Sequence, residues 1–290
     1  MDGQVKRGPE GLWFACERME AAAFVAIHKQ LADFEPVIMN CYETGVQTPT
    51  LPANRHNEPD LSIAALFLKK ALNDLRSTWL LIRLGYTSQA ASVAASLFEN
   101  SLTVVCIAGK PKNLEKLNYT RSGDLPWSPQ QLSKIQAEQW RDEARITGSK
   151  FEQENFELAW RDVYASYKWL CKIKHPTIGS ALHDATSTLL DSREYVVMAA
   201  PDIRPEDVAV KATILAISVN RIREALRSFS FALECDITTS EYQNFVERMN
   251  EINKGATNAF KTLAVKQLPF LVNDLPLFQE WTNLRQKNSR

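Results

Sequence analysis

From Leu61 onward the apolar side chains recur in alternating steps of four and three: Leu61, Ala65, Leu68, Leu72, Leu75, Trp79, Ile82 and Tyr86. On a helix this spacing draws one unbroken stripe about 24 residues long. A repeat near 3.5 residues is what helices lying side by side require. Gly85 is placed to end this helix, and Thr87 to cap the next, which runs to the stop signals Gly109 and Pro111. So short a turn makes the two an αα-hairpin.

The same alternation returns further along the chain. Ser128-Pro129-Gln130-Gln131 carries an N-cap, a proline for the first turn and a capping-box glutamine. Ser149-Lys150-Phe151-Glu152 reads as a second capping box, leading into the face Phe156, Trp160, Val163, Tyr167, Leu170 and ending near His175-Pro176. Pro205 opens a helix with the stripe Val208, Ala212, Leu215, Val219, Ile222, Leu226, Phe229, Leu233. Thr238-Thr239-Ser240-Glu241 opens another, and Leu12 to Tyr42 and the tail from Asp274 also read as helical. No segment alternates with period two, and Asn-Gly and Asp-Gly hairpin signals are absent. The expected fold is all-α, a multi-helix bundle of long antiparallel helices forming one domain over residues 1–290, with loops at about 44–60 and 110–127.

Composition narrows the class. With 34 basic and 34 acidic residues the net charge is zero, so the basic excess typical of a dedicated nucleic-acid binder is missing; a nucleic-acid partner is not supported by net charge and would need a local basic patch. The five cysteines (Cys16, Cys41, Cys106, Cys171, Cys235) stand far apart, as buried thiols of a reducing compartment do. Thr87 to Ala108 is the most apolar span, with Glu99 as its one charge, and is read as a central buried helix rather than a membrane span. A cytoplasmic location is expected.

Familiar chemical motifs are missing: no Gly-x-Gly-x-x-Gly, no Walker loop, no Gly-x-Ser-x-Gly elbow. None of His28, His56, His175 and His183 has a Glu three positions earlier, and no two stand four apart, so no metal site and no cofactor are expected. Two features stand out. Glu99 in the most apolar helix costs on the order of several kcal/mol unless paired, and Arg76, Arg83, Arg221 and Arg223 are on offer as partners. The stretch Arg161, Tyr164, Tyr167, Lys168, Trp169, then Lys172, Lys174 and His175, alternates aromatic and basic groups, a pattern suited to an anion or an unpaired base.

Through Leu84-Gly85-Tyr86, Ser96-Leu97-Phe98-Glu99 and the later Tyr164…Trp169-Leu170-Cys171…His175-Pro176, the chain resembles a mostly bacterial all-helical family catalogued as a domain of unknown function. That resemblance implies a bundle in which Glu99 and His175 converge, and no activity. At fold level the chain is also similar to the higher-eukaryote-and-prokaryote nucleotide-binding (HEPN) helical domains, whose ribonuclease members carry an Arg shortly before a His; Lys168 ahead of His175 is the nearest match here. Three functions are therefore weighed. The first is a binding or interaction module with a polar pocket between the Ala71–Ala108 hairpin and the Tyr164–His175 helix, using Arg76, Arg83, Glu99, Arg161, Tyr164, Tyr167 and His175. The second is a HEPN-like ribonuclease or nucleotide-binding defence protein. There His175 is acid/base, Lys168 or Arg161 meets phosphate and Glu99 orients them. The third is the subunit of a homo-oligomer.

Overall fold

The computed structural model describes residues 11–118, 124–185 and 200–262. The helix expected from Asp274 lies outside the described residues. Among the described residues ten helices follow one another: α1 Leu12–Gln30, α2 Phe34–Gln47, α3 Pro59–Arg83, α4 Thr87–Ile107, α5 Pro111–Asn118, α6 Pro129–Ile146, α7 Gln153–Lys174, α8 Ile178–Ala185, α9 Val208–Ala232 and α10 Ser240–Thr262. No strand occurs among the described residues; an isolated antiparallel bridge pairs Ala53 with Cys235. The all-α helical bundle is what the periodicity predicts.

The centre is α4, which packs against α3, α6, α7 and α9. Its small residues Ala90, Ala91, Ala94 and Ala95 are fully buried, so its neighbours approach closely, while Leu97, Phe98, Val104 and Ile107 fill the spaces between them. α4 is long and apolar enough to cross a bilayer, but 78% of its most apolar window lies inside the bundle. The α3 stripe buries Leu61, Leu68, Leu72, Leu75, Trp79 and Ile82 against the same core, and α9 contributes Leu215, Val219, Ile222, Leu226 and Phe229.

The α3–α4 turn is a Schellman closure. Gly85 stands at φ 85°, Gly85 N donates to Ile82 O at 3.0 Å and Tyr86 N to Leu81 O at 2.9 Å. The Ser128 capping box forms as predicted, with Ser128 N donating to Gln131 Oε1 at 2.8 Å and Gln131 N to Ser128 Oγ at 3.3 Å.

Four local expectations are corrected. Tyr86, not Thr87, stands at the N-cap of α4, and the Thr87 hydroxyl is committed to Asp207 instead. Pro111, read as a stop, instead opens α5, because a first-turn proline loses no helical hydrogen bond; the predicted 110–127 loop therefore contains a helix. The 44–60 loop is shortened by α2 and the 3₁₀ turn Thr48–Thr50, and its remainder is strapped to the α9–α10 turn by Asn54 N→Glu234 O (3.2 Å) and Arg55 N→Leu233 O (3.1 Å). Ser149 does not cap α7. Its N–H closes the end of α6 on Ala144 O at 2.8 Å, and Glu152 with Asn155 forms the α7 capping box instead.

One core position on α6 runs against its surroundings. Gln136 is fully buried, and neither amide atom has a hydrogen-bond partner. A buried, unpaired amide costs roughly 1–3 kcal/mol. Gln136→Met, similar in volume, is expected to raise stability by about 1–2 kcal/mol in urea denaturation; a loss would mean that bound water satisfies the amide.

Candidate functional site

The residues singled out from sequence do not gather at one place. Glu99 is half-buried and accepts a 2.6 Å hydrogen bond from the Tyr167 hydroxyl, tying α4 to α7; its partner is a phenol where an arginine was expected. Burial and the Glu99 carboxylate together push the Tyr167 phenol well above its ordinary range. Tyr167 also packs against Phe98 and stacks on Tyr164, with ring centroids 5.5 and 6.2 Å apart. Arg221 lies over the other aromatic contact, 5.4 Å from the Phe98 ring.

Arg83 is spent on α1 and α2: its guanidinium lies 3.7 Å from the Phe24 ring centroid and 3.6 Å from Glu35. Arg76 is exposed on α3. Arg161 pairs with Glu157 at 3.0 Å, one turn back on its own helix, and Lys168 is half-buried. His175 is exposed just beyond α7, beside a cavity of about 290 Å³ that it shares with Ser88, Lys174, Ser180 and Asp184. Tyr167, which Glu99 grips, stands eight residues before His175, about 12 Å of helix. Glu99, Arg161 and Lys168 do not line the His175 cavity; Arg161 is paired with Glu157 and Glu99 with Tyr167.

Ser88, His175 and Asp184 are three residue types of a nucleophilic triad. However, Ser88 donates straight to Asp184 at 2.6 Å, so no imidazole stands between them to take its proton.

A charged cluster that the sequence reading missed sits beneath α8. The Asp207 carboxylate is completely buried and meets Lys211, the Thr87 hydroxyl and, at 2.9 Å, His183 Nε2. Lys211, equally buried, also donates to Asp202 O at 2.8 Å, and Arg204 grips the Asp202 carboxylate at 2.5–3.1 Å. Burial pushes Asp207 up, but His183, Lys211 and Thr87 outweigh it and hold the carboxyl at about 2. His183, Asp202 and Asp207 come within 4.8 Å of one another, as metal ligands do. The Lys211 ammonium and Arg204 guanidinium already supply the cations those carboxylates call for. The Asp207-x-x-x-Lys211 spacing, one helical turn, was the signal available in the sequence.

A further cavity lies at the opposite end of α4 from Thr87. It measures about 710 Å³ and opens between the ends of α4 and α9, α5, α6 and the start of α10. Its floor is built where α4 stops. Gly109 (φ 72°) turns the chain, and Lys110 reaches back to donate to Val105 O at 2.6 Å and to Gln139 Oε1 at 3.2 Å. The same Gln139 oxygen accepts from Ser228 Oγ at 3.1 Å, and Gln139 Nε2 donates to Glu143 at 2.9 Å. Glu143 is ion-paired with Arg227, which also holds Glu224 at 2.8 Å. Arg55, bound to Asp60 at 3.1 Å and to Ala232 O, closes one side.

The mouth is apolar and open to solvent: Phe231 is 67% exposed, Ile237 68% and Ile146 75%. Burial draws the Lys110 ammonium below its ordinary range, against the opposing charges of Glu143, Asp142 and Glu138. The neighbouring Cys106 thiol is pushed up to about 12 by burial and stays protonated. None of the residues predicted as ligand-binding lines this cavity. No protein-family model matches the chain, and neither a curated protein nor a solved structure matches it.

Proposed function

We propose that this protein is a binding module whose ligand, a small amphipathic organic molecule, occupies the cavity between α5, α6 and the end of α9. The observation that carries this is a cavity of about 710 Å³ with a hydrogen-bonded polar floor, Lys110–Gln139–Ser228, and an apolar mouth. That volume falls within the roughly 300–1,000 Å³ typical of small-molecule sites, where a few placed polar groups orient an otherwise apolar ligand. The end of a purely structural bundle has no need to hold such a volume open. The five free thiols accord with a reducing, cytoplasmic setting.

The test is ligand-observed NMR with a library of neutral aromatic and aliphatic fragments. Saturation transfer to wild type is expected. It should weaken about tenfold in Phe231→Ala, whose exposed ring can be removed without disturbing the core, and vanish in Ser228→Phe, which fills the floor. Fragment signals absent from wild type, or indifferent to both substitutions, would overturn the reading.

Self-association is a second reading, supported by the exposed side chains Trp13, Phe14 and Val25 on α1 and Met39 and Val46 on α2. Light scattering at micromolar concentration is expected to give a dimer mass on this reading, and a monomer mass removes it.

A further inference from the structure

Lys110 has an unusual set of partners for a lysine on a cavity floor. Both of its acceptors, Val105 O and Gln139 Oε1, are neutral. No carboxylate lies within ion-pair distance of it among the described residues, and Glu143, the nearest in effect, is already bound to Arg227. An ammonium has three donors, so one remains without a protein acceptor among the described residues. A partly desolvated cation without a counter-ion is unfavourable, and an anion arriving from solvent removes the penalty.

The surroundings restrict what that anion can be. Apolar side chains rise from the floor to the mouth, so the rest of the molecule is apolar. At the rim three exposed carboxylates, Glu138, Asp142 and Glu234, outnumber the exposed ammonium of Lys116 and repel a second negative charge. Resting on the binding reading of this cavity, we propose that its ligand is an organic monocarboxylate with an apolar body, the carboxylate paired with Lys110 and the body on Phe231, Ile237 and Ile146. The pair forms with the charged lysine, whose pKa burial lowers in the free protein. Binding therefore draws that pKa back up, takes up protons, and weakens as pH rises through the free-protein value.

The experiment is calorimetric titration of the full chain with four eight-carbon probes: octanoate, octanol, octylamine and octyl phosphate. Octanoate is expected to bind about tenfold or more tighter than the other three, the worth of one charge-assisted contact. Lys110→Met should erase that preference while leaving octanol binding in place, and Lys110→Arg should retain it. Octanol binding as tightly as octanoate in wild type overturns the proposal without any variant. So does an octanoate preference that survives Lys110→Met or rises with pH. If no probe binds while the neutral fragments above still do, the carboxylate inference fails and the cavity reading stands. If the fragments fail too, both fall.

Discussion

Lys211→Met is expected to destabilise the protein by roughly 3–5 kcal/mol, because it strands the Asp207 carboxylate in the core. Both side chains of this pair have zero exposure, and the carboxylate carries the hydroxyl of Thr87 from α4 and the imidazole of His183 from α8. Removing one partner leaves an uncompensated charge, whereas removing both leaves only imperfect packing. The double variant Asp207→Asn/Lys211→Met should therefore lose less than the sum of the single substitutions. Urea denaturation of the four proteins measures the coupling, and a Lys211→Met cost below about 1 kcal/mol would show that the pair is not isolated from water.

The same pair sets an acid limit. Asp207 titrates at about 2 in the folded protein, below its ordinary 3.8, so its contribution is fully present above about pH 4 and is lost as pH falls towards 2. The gap in stability between wild type and Asp207→Asn should close over that window. Because His183 and Arg204 hang α8 and the segment before α9 on this cluster, local opening there should precede global unfolding in acid, as hydrogen exchange of α8 would report.

Gly85→Ala should cost about 2–5 kcal/mol. A left-handed conformation costs a residue with a Cβ roughly 1–2 kcal/mol. The added carbon would also stand 2.6 Å from Pro201 Cβ and 3.0 Å from the Asp202 backbone nitrogen, and overpacking of this kind costs a further 1–3 kcal/mol, roughly. Gly148 separates the two causes. It has a comparable positive φ of 69° and the same Schellman closure, but a Cβ there meets nothing within 4 Å. Gly148→Ala should therefore cost only about 1–2 kcal/mol, and thermal melts in parallel give the difference. Equal losses at the two sites would mean that the Pro201 segment yields without cost.

These two turns show where local reading suffices. The helix–Gly–helix text at Gly85 and the Ser128 capping box are decided by residues within one or two turns of each other, and both form as the sequence predicts. Ser149 and Pro111 were misread although their signals are equally local, because each can serve the helix before it or the one after. The choice depends on where the neighbouring helix actually stops.

Apolar side chains recurring every three and a half residues were enough to make this chain a set of long helices packed along their stripes, since burying a stripe needs another stripe and little else. The position of α4 at the centre follows from its small, uncharged residues. Which helix lies against which face, and at what axial register, is not written in any one stripe. That register gave Glu99 a tyrosine from α7 where an arginine was expected, brought Thr87 to Asp207, and gathered Lys110 from the α4–α5 turn, Gln139 from α6 and Ser228 from α9 into one cavity floor. Hydrogen bonds between residues tens of positions apart depend on ångström-scale packing, and only the tertiary structure decides that.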